Sequence, residues 1–161
     1  MDAALRQPRL SVNDSPMPQL LVQLLLSTVT VAVTVIIHGF GLAILVRSLK
    51  AMNVGIVDNE TVRHHVELSI MMPVLLVVLA LVALHGIEIW FYAIVYLALG
   101  AVPNLEQAIY FSTITYATIG YSDVYITKAW RVLAAIEGIN GVILLGWSTA
   151  FFITIVARLK R

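Results

Sequence analysis

The sequence predicts an all-α membrane protein: three transmembrane helices, with a short helix and a re-entrant loop between the second and the third. Three observations predict this. Of the 161 residues, 60% are apolar and only 12% are charged, and the mean hydropathy is +0.94. A water-soluble domain of this size cannot bury that much apolar surface, so lipid must be the solvent for much of it. Three apolar runs each exceed the roughly 20 residues that a bilayer crossing needs. Between the last two lies a segment too short and too polar to cross, yet tethered to a span at each end.

Residues 1–18 form an N-terminal tail containing Arg6 and Arg9. The run after it, Gln19 to Val46, carries no formal charge. It is too long for a signal-peptide core and lacks a small-residue cleavage site, so residues 19–49 are read as a membrane helix. Gly39 and Gly41 permit a close helix approach there. Residues 50–66 are read as a cytoplasmic loop: Gly55, Asp58, Asn59 and Glu60 mark a turn, and Arg63, His64 and His65 a basic cluster. Residues 67–157 then form one unit. As a single helix, Leu68 to Gly100 would be about 50 Å long against a hydrocarbon core of about 30 Å, so it must tilt, protrude or bend at Pro73. The last span, Trp130 to Val156, ends in a basic tail, 158–161, where Arg158, Lys160 and Arg161 stop transfer. Counting Lys and Arg, Arg47, Lys50, Arg63 and those three outnumber Arg6, Arg9, Lys128 and Arg131. This places the C-terminus in the cytoplasm. Trp90, Tyr92, Tyr96 and Trp130 suit an aromatic belt at the outer interface, the alternative being that they pack inside the protein.

Within the intervening segment, Asn104 follows Pro103 as a candidate N-cap and Glu106 occupies the first turn, so a helix is expected to run to about Ala117. Non-helical backbone at membrane depth is tolerated only where protein buries it or where it lines a water-filled path. The stretch beyond this helix, Thr118 to Asp123, is therefore re-entrant and points to transport. A net charge of +1, with no basic stripe outside the membrane flanks, argues against a nucleic-acid partner. The absence of cysteine excludes disulfide and thiolate chemistry.

That stretch, "TIGYSD", resembles the signature of the tetrameric potassium channel pore family: a threonine, an aliphatic residue, then Gly-Tyr-Gly-Asp behind a pore helix. Thr118, Ile119, Gly120, Tyr121 and Asp123 match it, and Ser122 departs from it. Upstream, "YFS" at Tyr110 to Ser112 is similar to the family's paired aromatics and serine. Downstream, "GVILLGWSTA" looks like its inner helix. The resemblance covers about Leu68 to Val156. It implies a prokaryotic-type channel in the plasma membrane with Thr118, Ile119, Gly120, Tyr121 and Ser122 as the ion-binding selectivity filter. It further implies Asp123 and Tyr110 as filter support, Gly141 as a gating hinge, and Val142, Leu145 and Thr149 as cavity-facing positions. Potassium is then the permeant ion; no cofactor and no enzymatic activity are expected.

The physics of such a site is independent of the name. Rings of backbone carbonyls can replace the hydration shell of potassium. One loop cannot encircle an ion but four around an axis can, so a homotetramer surrounded by membrane lipids is expected. Four pore helices would direct the negative ends of their dipoles at a central cavity, favouring a cation. Because Ser122 alters the signature, a weakly selective cation channel is the close alternative. A non-conducting regulatory subunit of another channel is a further one.

His38, His85, Glu88 and Glu137 lie inside apolar runs, where ionisable groups are costly and are functional candidates by default. His85 and Glu88 are three residues apart and share a helix face. Glu137 and Asn140, also three apart, are expected to brace the back of the pore helix. Structural polar bracing, a pH or ligand sensor, and a metal site are all weighed, but two ligands are too few for a metal. His38 is read as an interhelical hydrogen-bonding residue, and Trp147 beside Gly146 as packing.

Overall fold

The computed structural model describes residues 17–52, 66–120 and 126–159. Four α-helices follow one another: α1 Met17–Ala51, α2 Val66–Ala98, α3 Leu105–Tyr116 and α4 Arg131–Leu159, the last preceded by a 3₁₀ turn, Lys128–Trp130. Among the described residues there is no strand. Among the described residues three segments are long and apolar enough to cross a membrane, Gln19–Ala51, Met71–Ala98 and Lys128–Arg158. These are the three expected spans. The expected tails and the loop residues 53–65 lie outside the described residues.

Local chemistry explains where the helices begin and end. α2 runs through Pro73 as one helix. It stops at Gly100, whose φ of +60° is the left-handed conformation that glycine adopts without penalty. The Ala101 N–H donates to the Tyr96 carbonyl at 2.9 Å and the Gly100 N–H to the Leu97 carbonyl at 3.1 Å, a Schellman motif. α3 opens on Asn104, which is extended and whose side-chain oxygen accepts the Gln107 N–H at 2.9 Å. Because this bond satisfies one orphan donor of the first turn, Asn104→Ala is expected to lower stability by about 1 kcal/mol, read as a drop in the thermal or denaturant midpoint of the purified protein. Beyond the loop, the Thr127 N–H donates to the Ala101 carbonyl at 3.1 Å, tying the approach to α4 to the end of α2.

α3 packs between α2 and α4, and α1 lies against both long helices. The buried face of α1 changes character along its length. Gln23, Ser27, Thr30, Thr34 and His38, spaced by three or four, are polar, while Leu42, Leu45 and Leu49 continue the same face as an apolar seam. The seam meets Val77, Leu81 and Leu84 of α2. Gly41 lets the two helices approach closely there: a Cβ on it would come 2.5 Å from Leu84 Cδ1 and would make that side chain turn away. A second apolar core joins Tyr92, Ala93 and Tyr96 of α2 to Phe111 of α3 and Leu133 and Leu144 of α4.

The aromatic belt needs correcting. Tyr92 and Tyr96 have no exposed surface and point into the protein, while Trp90 is 56% exposed and Trp130 is half-buried. Burial of the two tyrosines follows from partners for their hydroxyls, described next.

Candidate functional site

The loop after α3 has unusual backbone. Thr118 has φ +59° and Gly120 has φ +54°. For a β-branched residue the left-handed region costs roughly 1–2 kcal/mol, so Thr118 must be held there by its surroundings. Three consecutive amides supply the hold. The Thr118 N–H donates to the Thr115 carbonyl at 2.9 Å, and the N–H groups of Ile119 and Gly120 both reach the Ile114 carbonyl, at 2.8 and 3.1 Å. The amides are thus folded back onto the end of α3. Among the described residues no backbone N–H donates to the carbonyls of Thr118, Ile119 or Gly120, and all three residues are exposed. Tyr121, Ser122 and Asp123, and with them the bracing of Asp123 by Tyr110, lie outside the described residues. Tyr110 itself sits on the outer side of α3, 47% exposed.

α4 supports the base of this loop by direct backbone contact. A Cβ on Gly141 would fall 2.2 Å from the Tyr116 carbonyl oxygen, and one on Gly138 would fall 3.4 Å from that of Thr115. Gly141 is therefore the position at which α4 touches the last turn of α3, a contact that the hinge expectation did not contain. A groove of about 400 Å³ opens beside it, lined by Thr115, Thr118 and Gly120 together with Ala135, Ile139 and Val142 of α4. Val142, Leu145 and Thr149 share one exposed face of α4. The Thr149 hydroxyl donates to the Leu145 carbonyl at 2.9 Å.

Behind the loop the intramembrane polar residues form three groups of contacts. Glu137 of α4, fully buried, accepts from Ser112 of α3 at 2.5 Å and from the Tyr96 hydroxyl of α2. Ser112 also lies 3.0 Å from the Ile89 carbonyl. One turn along α4, the Asn140 amide donates to Thr34 of α1 at 2.8 Å and to the Tyr92 hydroxyl at 3.2 Å. Deeper still, Glu88 of α2 takes His38 of α1 at 2.9 Å on one oxygen, and His85 at 3.1 Å and the Tyr116 hydroxyl at 2.5 Å on the other. The second nitrogens of both histidines face Ser148 of α4, at 3.0 Å for His85 and 3.4 Å for His38. The Trp147 ring lies 5.2 Å from that of His38 and covers it. Among the described residues no buried side-chain polar atom lacks a partner.

His85 pairs with Glu88 and Glu137 meets the helix before the loop, whereas Asn140, expected to brace that helix as well, bonds instead to Thr34 of α1 and Tyr92 of α2, whose hydroxyls accept its amide protons. His38 does more than expected, since it completes a cluster with His85 and Glu88. Sequence reasoning missed Tyr116, Ser148, Tyr96, Ser112, Tyr92, Thr34 and Gln23, whose side chain accepts the Val132 N–H at 3.1 Å. One signal was present: polar residues at Gln23, Ser27, Thr30, Thr34 and His38 recur every three or four positions, which marks a helix face that avoids lipid.

Two long helices flank a short capped helix and a strained, exposed loop, and among the described residues the buried polar side chains that lipid could not solvate are all paired internally. An arrangement of this kind suits passage of a small solute along the loop. No curated protein and no solved structure matches the chain. Residues 74–158, more than half of the chain and covering most of α2, all of α3, the loop and nearly all of α4, match the family described as "Ion channel". The protein therefore belongs to the ion channel family.

Proposed function

We propose that the protein is a potassium-selective channel in which four copies surround an axis and each contributes the loop from Thr118 to Ser122. One observation carries the reading: Thr118 and Gly120 take left-handed backbone while the amides of residues 118–120 turn back into α3. Reversing the sign of φ at alternate residues turns successive peptide planes, so carbonyls that would alternate can face one side. Their exposed oxygens need a partner at membrane depth, and a dehydrated cation held between several chains is one. Strained backbone of this kind persists where function requires it. Asp123 and Tyr110 are assigned to support the filter, Val142, Leu145 and Thr149 to face the cavity, and Gly141 to act as a hinge as well as a contact. The C-terminus is placed in the cytoplasm.

Ser122 favours one competing reading, a weakly selective cation channel. In the signature that the loop resembles, the glycine at this place is left-handed, and a residue with a Cβ costs roughly 1–2 kcal/mol there in every chain. The inner positions, Thr118 to Tyr121, do not depend on it. In planar bilayers with a potassium gradient opposed to a sodium gradient, the reversal potential is expected near the potassium equilibrium value. Ser122→Gly is expected to raise conductance or slow filter inactivation without changing that preference. A wild type that passes both ions equally, made selective by Ser122→Gly, would establish the weakly selective channel instead. Cross-linking in membranes that stops at monomers or dimers would remove the tetrameric pore altogether.

A further inference from the structure

The cluster around Glu88 brings together one residue or more from each of the four helices. His38 comes from α1, His85 and Glu88 from α2, Tyr116 from α3 and Ser148 from α4. One ligand atom from each of His38, His85 and Glu88 can be chosen so that all three lie within 4.8 Å of one another. The Tyr116 oxygen is beside them, 2.5 Å from Glu88 and 2.9 Å from His85 Nδ1. We propose that His38, His85 and Glu88, with the Tyr116 oxygen as a fourth donor, bind a divalent transition-metal ion of the zinc class, clamping the first span to the helix that carries the loop.

Ser148 stands behind both histidines, 3.0 Å from His85 Nε2 and 3.4 Å from His38 Nε2. A metal ion would sit on the other side, among the two Nδ1 atoms and Glu88. Both imidazoles then carry their proton on Nε2, and both donate to Ser148 Oγ, which has two lone pairs to accept them. Ser148 thereby fixes the tautomer of both ligands, the task that outer partners perform around metal-bound histidines.

The donor set fits the ion. Two imidazoles, a carboxylate and an oxygen are ligands that zinc takes in fourfold coordination, and bonds of about 2.0–2.1 Å place tetrahedral donors about 3.3 Å apart. The Nδ1 atoms of His38 and His85 lie 2.9 and 3.1 Å from the two different oxygens of Glu88, so the carboxylate faces both imidazoles and side-chain rotation opens the space for an ion between them. Glu88 cancels one of the two positive charges. Entry is from the side of His85, whose side chain is 13% exposed while those of His38 and Glu88 are fully buried. The inference does not depend on which ion the pore passes.

The test uses the full-length protein in detergent, stripped with a chelator and titrated with Co²⁺. One Co²⁺ per chain is expected, with the intense visible absorption of a tetrahedral site and displacement by Zn²⁺. Glu88→Gln and His38→Ala should abolish that absorption. Ser148→Ala, which removes no ligand, should weaken binding by about 10- to 100-fold. His65→Ala, in the loop, should leave binding unchanged. Wild-type protein that gives no tetrahedral Co²⁺ absorption overturns the proposal, and so does absorption that persists in Glu88→Gln. The wild-type reading alone decides the matter if His38→Ala fails to fold.

Discussion

Gly141→Ala is expected to destabilise the assembled protein and to disturb the loop, going beyond a change in how often a pore opens. The added Cβ falls 2.2 Å from the Tyr116 carbonyl oxygen and 3.0 Å from its carbon. Those atoms are backbone, so no rotamer change relieves the contact, and α3 must move away from α4. Overpacking of this kind costs about 1–3 kcal/mol at each site, and the proposed fourfold assembly would repeat it in every chain. Tyr116 precedes Thr118 by two residues, and the carbonyl of Ile114 holds two of the loop amides, so a displaced α3 carries the loop with it. Gly146→Ala is the control. Nothing lies within 4 Å of its Cβ, and alanine is favoured over glycine in a helix interior by about 1 kcal/mol, so this variant should be neutral or slightly stabilised. Thermal unfolding and reversal potentials of the two variants check both halves. A Gly141→Ala protein with unchanged midpoint and selectivity and only a lower open probability would return Gly141 to the role of a hinge alone.

Glu137→Ala is the second change with a large expected effect. The carboxylate is fully buried and accepts two hydroxyl protons, from Ser112 on α3 and from Tyr96 on α2. Removing it strands the Tyr96 hydroxyl away from water, at about 1–3 kcal/mol, and opens a cavity as well, while Ser112 can turn to the Ile89 carbonyl 3.0 Å away. Glu137→Gln retains the shape and one accepting oxygen, and the Tyr96 hydroxyl can turn to accept from the new amide. A clear order is therefore expected in the thermal midpoint of the assembly: wild type, then Gln, then Ala. Equal midpoints and equal conduction for Gln and Ala would show that Glu137 does not brace α3. The same comparison at Glu88 reads differently, because Glu88→Gln also removes a proposed metal ligand.

Much of the architecture was legible without coordinates. Apolar runs longer than a bilayer crossing identified the three spans, and Asn104 with Glu106 marked the start of α3 because capping chemistry is local. The pairing of His85 with Glu88 was equally legible, since residues three apart on a helix are neighbours whatever else the chain does. The direction in which Tyr92 and Tyr96 point was not. In water, apolar periodicity marks the buried face of a helix, but in lipid both faces are apolar, so nothing local says which tyrosine faces the protein.

By itself, then, the sequence determined the number of spans, the short helix and loop between the last two, and the list of ionisable residues that lipid cannot solvate. Those properties depend on composition and on neighbours within one helical turn. Only the tertiary structure decided how the list is partitioned: Glu137 with Ser112 and Tyr96, Asn140 with Thr34 and Tyr92, Glu88 with His38, His85 and Tyr116. It also decided that α1 is wired into the unit that holds the loop, and that Gly141 meets the Tyr116 carbonyl. These partners lie 25 to 106 residues apart where they come from different helices. Hydrogen bonds reach only about 3 Å, so the crossing of the helices, which no local pattern encodes, chooses between partners that are chemically alike.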